Sequence, residues 1–188
     1  MSVHVRPQPI ALDVSIIVEA ALELMNEIGI DALTTRRLAE KLGVKGPALY
    51  WHFRNKDELL AKMCERLLTT SLDRTAGDSW QDWIRAACME LRRTLGAVRD
   101  GARLVAFAEW TDIAKTDLIE RVERPLIDSG MDRQSARRIV GATNAYTIGW
   151  VATESKSNHR SFMASQFDID EAFRHGLDAL VNGLSASI

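Results

Sequence analysis

Along almost the whole chain, apolar side chains return every three or four residues, and no run alternates with the two-residue period of a strand. The pattern predicts an all-α protein. Residues 1–12, with Pro7 and Pro9, read as a flexible arm. Asp13 then caps a first helix whose Ile17, Ala20, Ala21, Leu24, Met25 and Ile28 share one face, and Gly29 ends it. Thr34 or Thr35 caps a second helix to about Leu42. Gly43 supplies a tight turn, and a very short third helix follows with Pro47 in its first turn. Asn55 and Glu58 stand at capping-box spacing before a fourth helix to about Thr70. A loop over 71–79 leads to helices over about 80–95, 100–110 and 113–129, the last bent or interrupted at Pro125. Asp132 caps a long helix to about Ser155, a polar loop covers 156–165, and Asp168 with Glu171 opens the last helix. No internal repeat or low-complexity tract interrupts the pattern.

One block, TTRRLAEKLGVKGPALYWHF over residues 34–53, carries the chemistry. Two helices joined by a tight glycine turn let the second lie in the DNA major groove while the first crosses the backbone. Leu38, Ala39, Leu42, Val44 and Leu49 are spaced to pack these helices together and onto the first. Exposed positions then carry Arg36, Lys45, Tyr50, His52 and Lys56. A guanidinium suits guanine or phosphate, a phenol or imidazole suits phosphate or base edges, and ammonium groups neutralise the backbone. Tyr50, beside the basic residues, reads as DNA-facing, Trp51 as core packing, and His52 as either.

Charge sharpens this picture. Residues 34–56 hold six cations (Arg36, Arg37, Lys41, Lys45, Arg54, Lys56) against Glu40, so the segment is +5 in a chain of net charge −2. A basic island on an acidic body is the footprint of one face meeting phosphate. At 188 residues, 46% hydrophobic, the chain has room for a small DNA-binding module and a helical body. No run approaches the ~18 apolar residues of a membrane span, and no apolar segment with a cleavage site opens the chain. A cytoplasmic protein with no membrane partner is expected. Cys64 and Cys88 form no CxxC pair and read as reduced, packed thiols. His4, His52, His159 and His175 have no metal-ligand spacing, and GxSxG, HExxH, P-loop and GxGxxG motifs are absent. No metal, cofactor or enzymatic activity is expected.

The stretch ALELMNEIGIDALTTRRLAEKLGVKGPALYWHFRNKDELL, residues 21–60, resembles the tetracycline repressor (TetR) family. A recognition helix ending in Leu-Tyr-Trp-His, followed by Asn-Lys and an acidic capping position, carries the likeness. It extends more weakly through 79–82 (SWQD), 99–102 (RDGA) and 146–149 (YTIG), toward the subgroup for which the family is named. The resemblance implies a homodimer with an N-terminal three-helix helix-turn-helix DNA-binding domain (13–57) and a C-terminal helical ligand-binding and dimerisation domain (58–188). Its small-molecule effector would release double-stranded operator DNA. The family's DNA-contacting positions fall on Thr35, Arg36, Arg37, Gly46, Pro47, Ala48, Tyr50, His52 and Lys56. Gly46 and Ala48 depart from the subgroup's hydrogen-bonding readers, leaving at most a methyl contact, for example to thymine. Phosphate anchoring should persist while the operator sequence differs.

In that subgroup a magnesium–tetracycline complex is held by His and Glu near the metal and by Asn and His on the drug. Those positions appear here as Val105, Thr153, Ala87 and Leu72, which offer little to a hard divalent cation. The resemblance therefore implies an effector other than magnesium–tetracycline. Met89, Phe107, Trp110, Tyr146 and Trp150 lie in helices the family uses to line its pocket, with Thr94, Asn144 or Thr147 as polar groups. Such a concavity suits an apolar or aromatic molecule, although each residue read singly is a core residue. Gly141, Ala145, Gly149 and Ala152 form a stripe of small residues on the long helix, and Phe173, Leu177, Leu180, Val181 and Leu184 an apolar stripe on the last. The family pairs these helices between subunits; packing within one subunit is the alternative. An architectural DNA-binding protein without an effector, with a side-chain-filled body, and an all-α enzyme or carrier are the rival readings.

Overall fold

The computed structural model describes residues 12–108 and 112–186, so all but Leu12 of the expected arm lies outside them. Among the described residues every regular element is a helix: α1 (Val14–Ile28), α2 (Thr35–Leu42), α3 (Gly46–Leu49), α4 (Lys56–Leu72), α5 (Trp80–Gly96), α6 (Gly101–Phe107), α7 (Asp112–Asp128), α8 (Arg133–Glu154), α9 (Ser157–Gln166) and α10 (Ile169–Ser185).

Local chemistry sets the helix starts. An oxygen of Asp13 accepts the Ile16 amide, Thr34 that of Arg37, Asn55 that of Glu58, Ser79 that of Asp82, and Asp168 that of Glu171. Asp132 accepts from both Gln134 and Ser135. Each satisfies a donor that the helix itself leaves orphaned, and such a cap contributes about 1 kcal/mol. The Glu58 carboxylate reaches back to the Arg54 amide at 2.8 Å, one residue before the cap. Gly43 ends α2 with φ of 66°, and the Val44 amide returns to the Ala39 carbonyl at 3.0 Å. A β-carbon would resist that left-handed conformation, which turns the chain into α3.

Three expected elements differ. Residues 157–166 are helical rather than a polar loop, and none of them is buried. A short helix without an apolar face leaves no period to read. α4 continues to Leu72, shortening the following loop. α7 continues through Pro125 as one helix, although proline withholds the amide that would bond four residues back.

Two apolar clusters hold the helices together. The first joins Ile17, Met25, Leu38 and Leu49 to Leu59, Met63 and Leu67 of α4, then to Leu91, Leu95, Leu104 and Val151. Residues 13–57 and 58–188 thus share a core that α4 carries from one to the other. The second gathers Ile84, Cys88, Leu126, Ile139, Phe173, Leu177 and Val181, with Met89, Tyr146 and Trp150 packed against it. Phe173, Leu177 and Val181, the center of the apolar stripe on α10, are therefore buried within their own subunit. Gly141, Ala145, Gly149 and Ala152 remain on the exposed face of α8. Both cysteines are buried, and burial pushes the Cys64 thiol up to about 12, which leaves it unreactive near neutral pH.

α10 approaches α8 closely at Gly176, where an added β-carbon would collide with the Tyr146 hydroxyl. That hydroxyl donates to the Phe173 carbonyl at 3.0 Å, while the Tyr146 and Phe173 rings stack with centroids 5.3 Å apart. Gly176→Ala should destabilize the protein by about 1–3 kcal/mol, and Tyr146→Phe by about 1 kcal/mol through the lost hydrogen bond. Because the second change removes the atom that the first strikes, the double variant should lose less than the sum. Urea unfolding of the four proteins checks this; strict additivity would show that no steric conflict exists at this crossing.

Candidate nucleic-acid interface and effector cavity

Leu49 and Phe53 are buried four residues apart and anchor α3 and the turn after it against α2 and α4. With α3 held there, Tyr50 and Trp51 face outward. Tyr50 is 56% exposed and Trp51 is 89% exposed. Trp51 is thus not the core residue that its size suggested. A single-turn helix is too short for a period to separate its faces, but the Leu49–Phe53 spacing marks the inward one.

The cations around this surface do different things. Lys41 is tied to Glu27 at 2.8 Å and Glu23 at 3.3 Å, joining α2 to α1. The Arg37 guanidinium donates to the Ala32 carbonyl at 2.9 Å. Arg54 pairs with Glu58. Arg36 stands out from α2 with its side chain 88% exposed, paired among the described residues only with exposed Glu40 at 3.0 Å; such a pair is worth little in water and yields readily to phosphate or a base. Lys45, at the cap of α3, and Lys56, at the first turn of α4, form no ion pair among the described residues. Thr35 begins α2. Gly46, Pro47 and Ala48 make up most of α3 and leave its surface nearly bare. His52 is half-buried near Asp13, whose carboxyl is held below its usual range first by the Ile16 amide, then by Ser15, and last by His52.

A polar joint fastens this head to the body. The Ile30 amide donates to Asp100 Oδ2 at 3.0 Å, the Arg99 amide to Asn26 Oδ1 at 2.7 Å, and the Arg99 guanidinium to the Glu27 carbonyl at 2.9 Å. Arg103 bridges Asp31 at 2.9 Å and Asp100 at 3.2 Å. Asp100 holds a φ of 61° to do so, uncommon for any residue but glycine.

In the body, α4, α5, α7 and α8 line an open-mouthed cavity of about 280 Å³. Its walls are Leu68, Ser71, Leu72, Ala87, Leu91, Leu118, Ile119, Val122, Glu123, Arg137, Val140, Gly141 and Asn144. Asn144 is an expected pocket residue found there, and so are Leu72 and Ala87, which the resemblance set at the family's drug-contacting positions. The expected Thr147 is buried instead, its hydroxyl donating to the Thr143 carbonyl at 2.9 Å. Trp150 packs on Tyr146 and Phe173, and Met89 joins the same cluster. Trp110 and the side chain of Phe107 lie outside the described residues. The helical period showed which faces turn inward but not which of them meet a void. At the charged end, Glu123 is 1% exposed and accepts from Arg137 Nε at 2.8 Å and from Arg133 at 3.3 Å. Elsewhere, Arg92 pairs doubly with Glu154 at 3.0 and 2.8 Å, bridges Asp170 at 2.7 Å and lies over the Phe173 ring. Among the described residues no three His, Cys, Asp or Glu side chains gather to hold a metal ion.

Residues 17–63 match the sequence model described as bacterial regulatory proteins, tetR family, and residues 74–167 match that of the tetracyclin repressor-like C-terminal domain. The chain is 32% identical to the class D tetracycline repressor protein of Escherichia coli, over 92% of this chain and 88% of that one. A TetR variant of Acinetobacter baumannii AYE, solved in complex with minocycline, superposes with a TM-score of 0.79 at 35% identity, covering 93% of this chain and 94% of that one. BioQ, solved with its double-stranded DNA operator, gives 0.71 at 32% identity, covering 93% and 99%.

Trp51 provides a direct check on this surface. Because it packs on nothing that stabilizes the fold, Trp51→Ala should shift unfolding free energy by no more than about 0.5 kcal/mol. The same change should remove an emission component that acrylamide quenches readily. A large loss of stability, or unchanged quenching, would place this indole in a core.

Proposed function

The chain belongs to the tetR family of bacterial regulatory proteins, and we propose that it acts in the cytoplasm as a homodimeric repressor, released from its operator by a small apolar or aromatic effector other than magnesium–tetracycline. The observation that carries this reading is the placement of α4. Its first turn holds Lys56 beside the reading surface, and its last turns put Leu68, Ser71 and Leu72 in the cavity wall. At 1.5 Å per residue these ends lie about 24 Å apart on one rigid rod. An effector that fits one position of α4 better than another would shift the head with it, and by linkage operator DNA would weaken effector binding by the same factor. The void also argues against a side-chain-filled architectural body.

DNA contact is assigned to Thr35, Arg36, Arg37, Lys45, Gly46, Pro47, Ala48, Tyr50, His52 and Lys56, and exposure adds Trp51. Arg36 and Tyr50 are the readers that remain once Gly46 and Ala48 offer no hydrogen bond, while Lys45 and Lys56 anchor phosphate. The exposed small-residue face of α8 lets a second subunit approach closely and supplies the pairing that two reading heads require. The donor set for magnesium does not fit. Of the two positions that correspond to the metal's holders, Val105 is buried hydrocarbon in the first apolar cluster and Thr153 is an exposed residue whose hydroxyl donates to the Gly149 carbonyl at 2.9 Å, so the imidazole and carboxylate that would hold a divalent cation are gone.

Selection from a random duplex library should recover a two-fold symmetric site with half-sites about one helical turn, ~34 Å, or a multiple apart. Failure to enrich any duplex at low salt would overturn the reading. On the recovered site, Lys56→Ala should weaken binding and lower the slope of log affinity against log salt by about one. Titration followed by Trp51 emission measures both; an unchanged slope would remove Lys56 from the phosphate contacts.

A further inference from the structure

The cavity wall is mostly apolar, with its charge gathered in one place and Ser71 and Asn144 as its neutral polar residues. Leu68, Leu72, Leu91, Leu118 and Val122 furnish hydrocarbon, and the charge comes from Glu123 of α7 and Arg137 of α8. Glu123 is already matched, since Arg137 and Arg133 both donate to it. Arg133 reaches that carboxylate from outside the cavity wall, so the donors still on offer from the two lining charges are those of Arg137. Arg137 commits its Nε–H to Glu123, its side chain remains 59% exposed, and a guanidinium has five N–H donors in a fork that matches a second carboxylate. Asn144 lies seven residues further along the same face of α8 and adds a neutral polar group to the wall.

Resting on the effector-binding reading above, we propose that the cavity takes a small amphiphilic monoanion, its carboxylate on the outer edge of Arg137 and its apolar body against the leucines of α4 and α5. An ammonium ligand meets the Arg137 guanidinium there and finds the one lining carboxylate occupied. A neutral ligand of the same shape buries the same hydrocarbon but forgoes the charged hydrogen bonds.

The test is calorimetric titration of the full chain, without DNA, with octanoate, 1-octanol and octylammonium, which share one apolar body. Octanoate should bind at least about tenfold more tightly than either of the others, as a charge-assisted hydrogen bond predicts. In Arg137→Gln the octanoate and octanol affinities should converge. In Glu123→Gln, which frees both arginines, octanoate should tighten further. Tightest binding of octylammonium, equal binding of all three, or no binding by any of them would overturn the proposal. If Arg137→Gln does not fold, the wild-type series and Glu123→Gln still decide it. Because no operator is present, failure here is distinct from failure of DNA binding.

Discussion

The inner face of α4 is buried at two places at once. Leu59, Met63, Cys64 and Leu67 lie in one cluster with Ile17, Met25 and Leu38 on the head side and with Leu91, Leu95 and Leu104 on the body side. Each such side chain contributes on the order of 1.5–3 kcal/mol by leaving water, and the interior they form is close-packed, so neither end of α4 shifts without the other. The apolar seam gives strength with little direction; it holds α4 to both neighbors without choosing a single angle between them.

Direction comes from the polar contacts beside the seam. Asp100 takes a backbone conformation that most residues avoid and uses it to receive the Ile30 amide and to face Arg103, which also grips Asp31. The turn between α5 and α6 is thereby registered against the turn between α1 and α2. On the far side of the body, the buried Arg92–Glu154 pair and its bridge to Asp170 tie α5, the end of α8 and the start of α10. Taking two charges out of water costs several kcal/mol per ion and is recovered only at good geometry, so such a pair contributes orientation more than net stability. The exposed faces of α8 and α10 are set by this arrangement.

The reading surface and the cavity follow opposite chemical plans. On the head, side chains project into water and stay available because the scaffold uses other residues: Leu49 and Phe53 anchor, Lys41 braces, and Arg36, Lys45, Tyr50 and Trp51 are left out. In the body, mostly hydrocarbon walls line a space where Ser71 is satisfied by the Leu68 carbonyl and Glu123 by its arginines, and where Arg137 and Asn144 supply the remaining polar groups. The first plan suits a polyanion that exchanges water and counterions for contacts; the second suits a small molecule that leaves water behind.

The starts of α1, α2, α4, α5, α8 and α10 were legible in the chain because a cap is a local bond, made by one side chain to an amide two or three residues away. The glycine turn at Gly43 and the basic island around it were legible for the same reason, and with them the head and its family. The cavity was legible at Asn144, and through the family resemblance at Leu72 and Ala87: the period of α8 turns Thr147 and Trp150 inward as surely as Asn144, but only the neighboring helices decide that the first two meet packed atoms and the third a void. Trp51 was misjudged because α3 offers a single turn, and α9 because a helix with no buried face has no stripe to betray it. Sequence by itself determined where helices begin, which face of each avoids water, and where positive charge concentrates, since those depend on residues close in the chain. Tertiary structure alone decided which faces meet, what stays exposed and where space remains, because packing is a relation between segments that no single segment encodes.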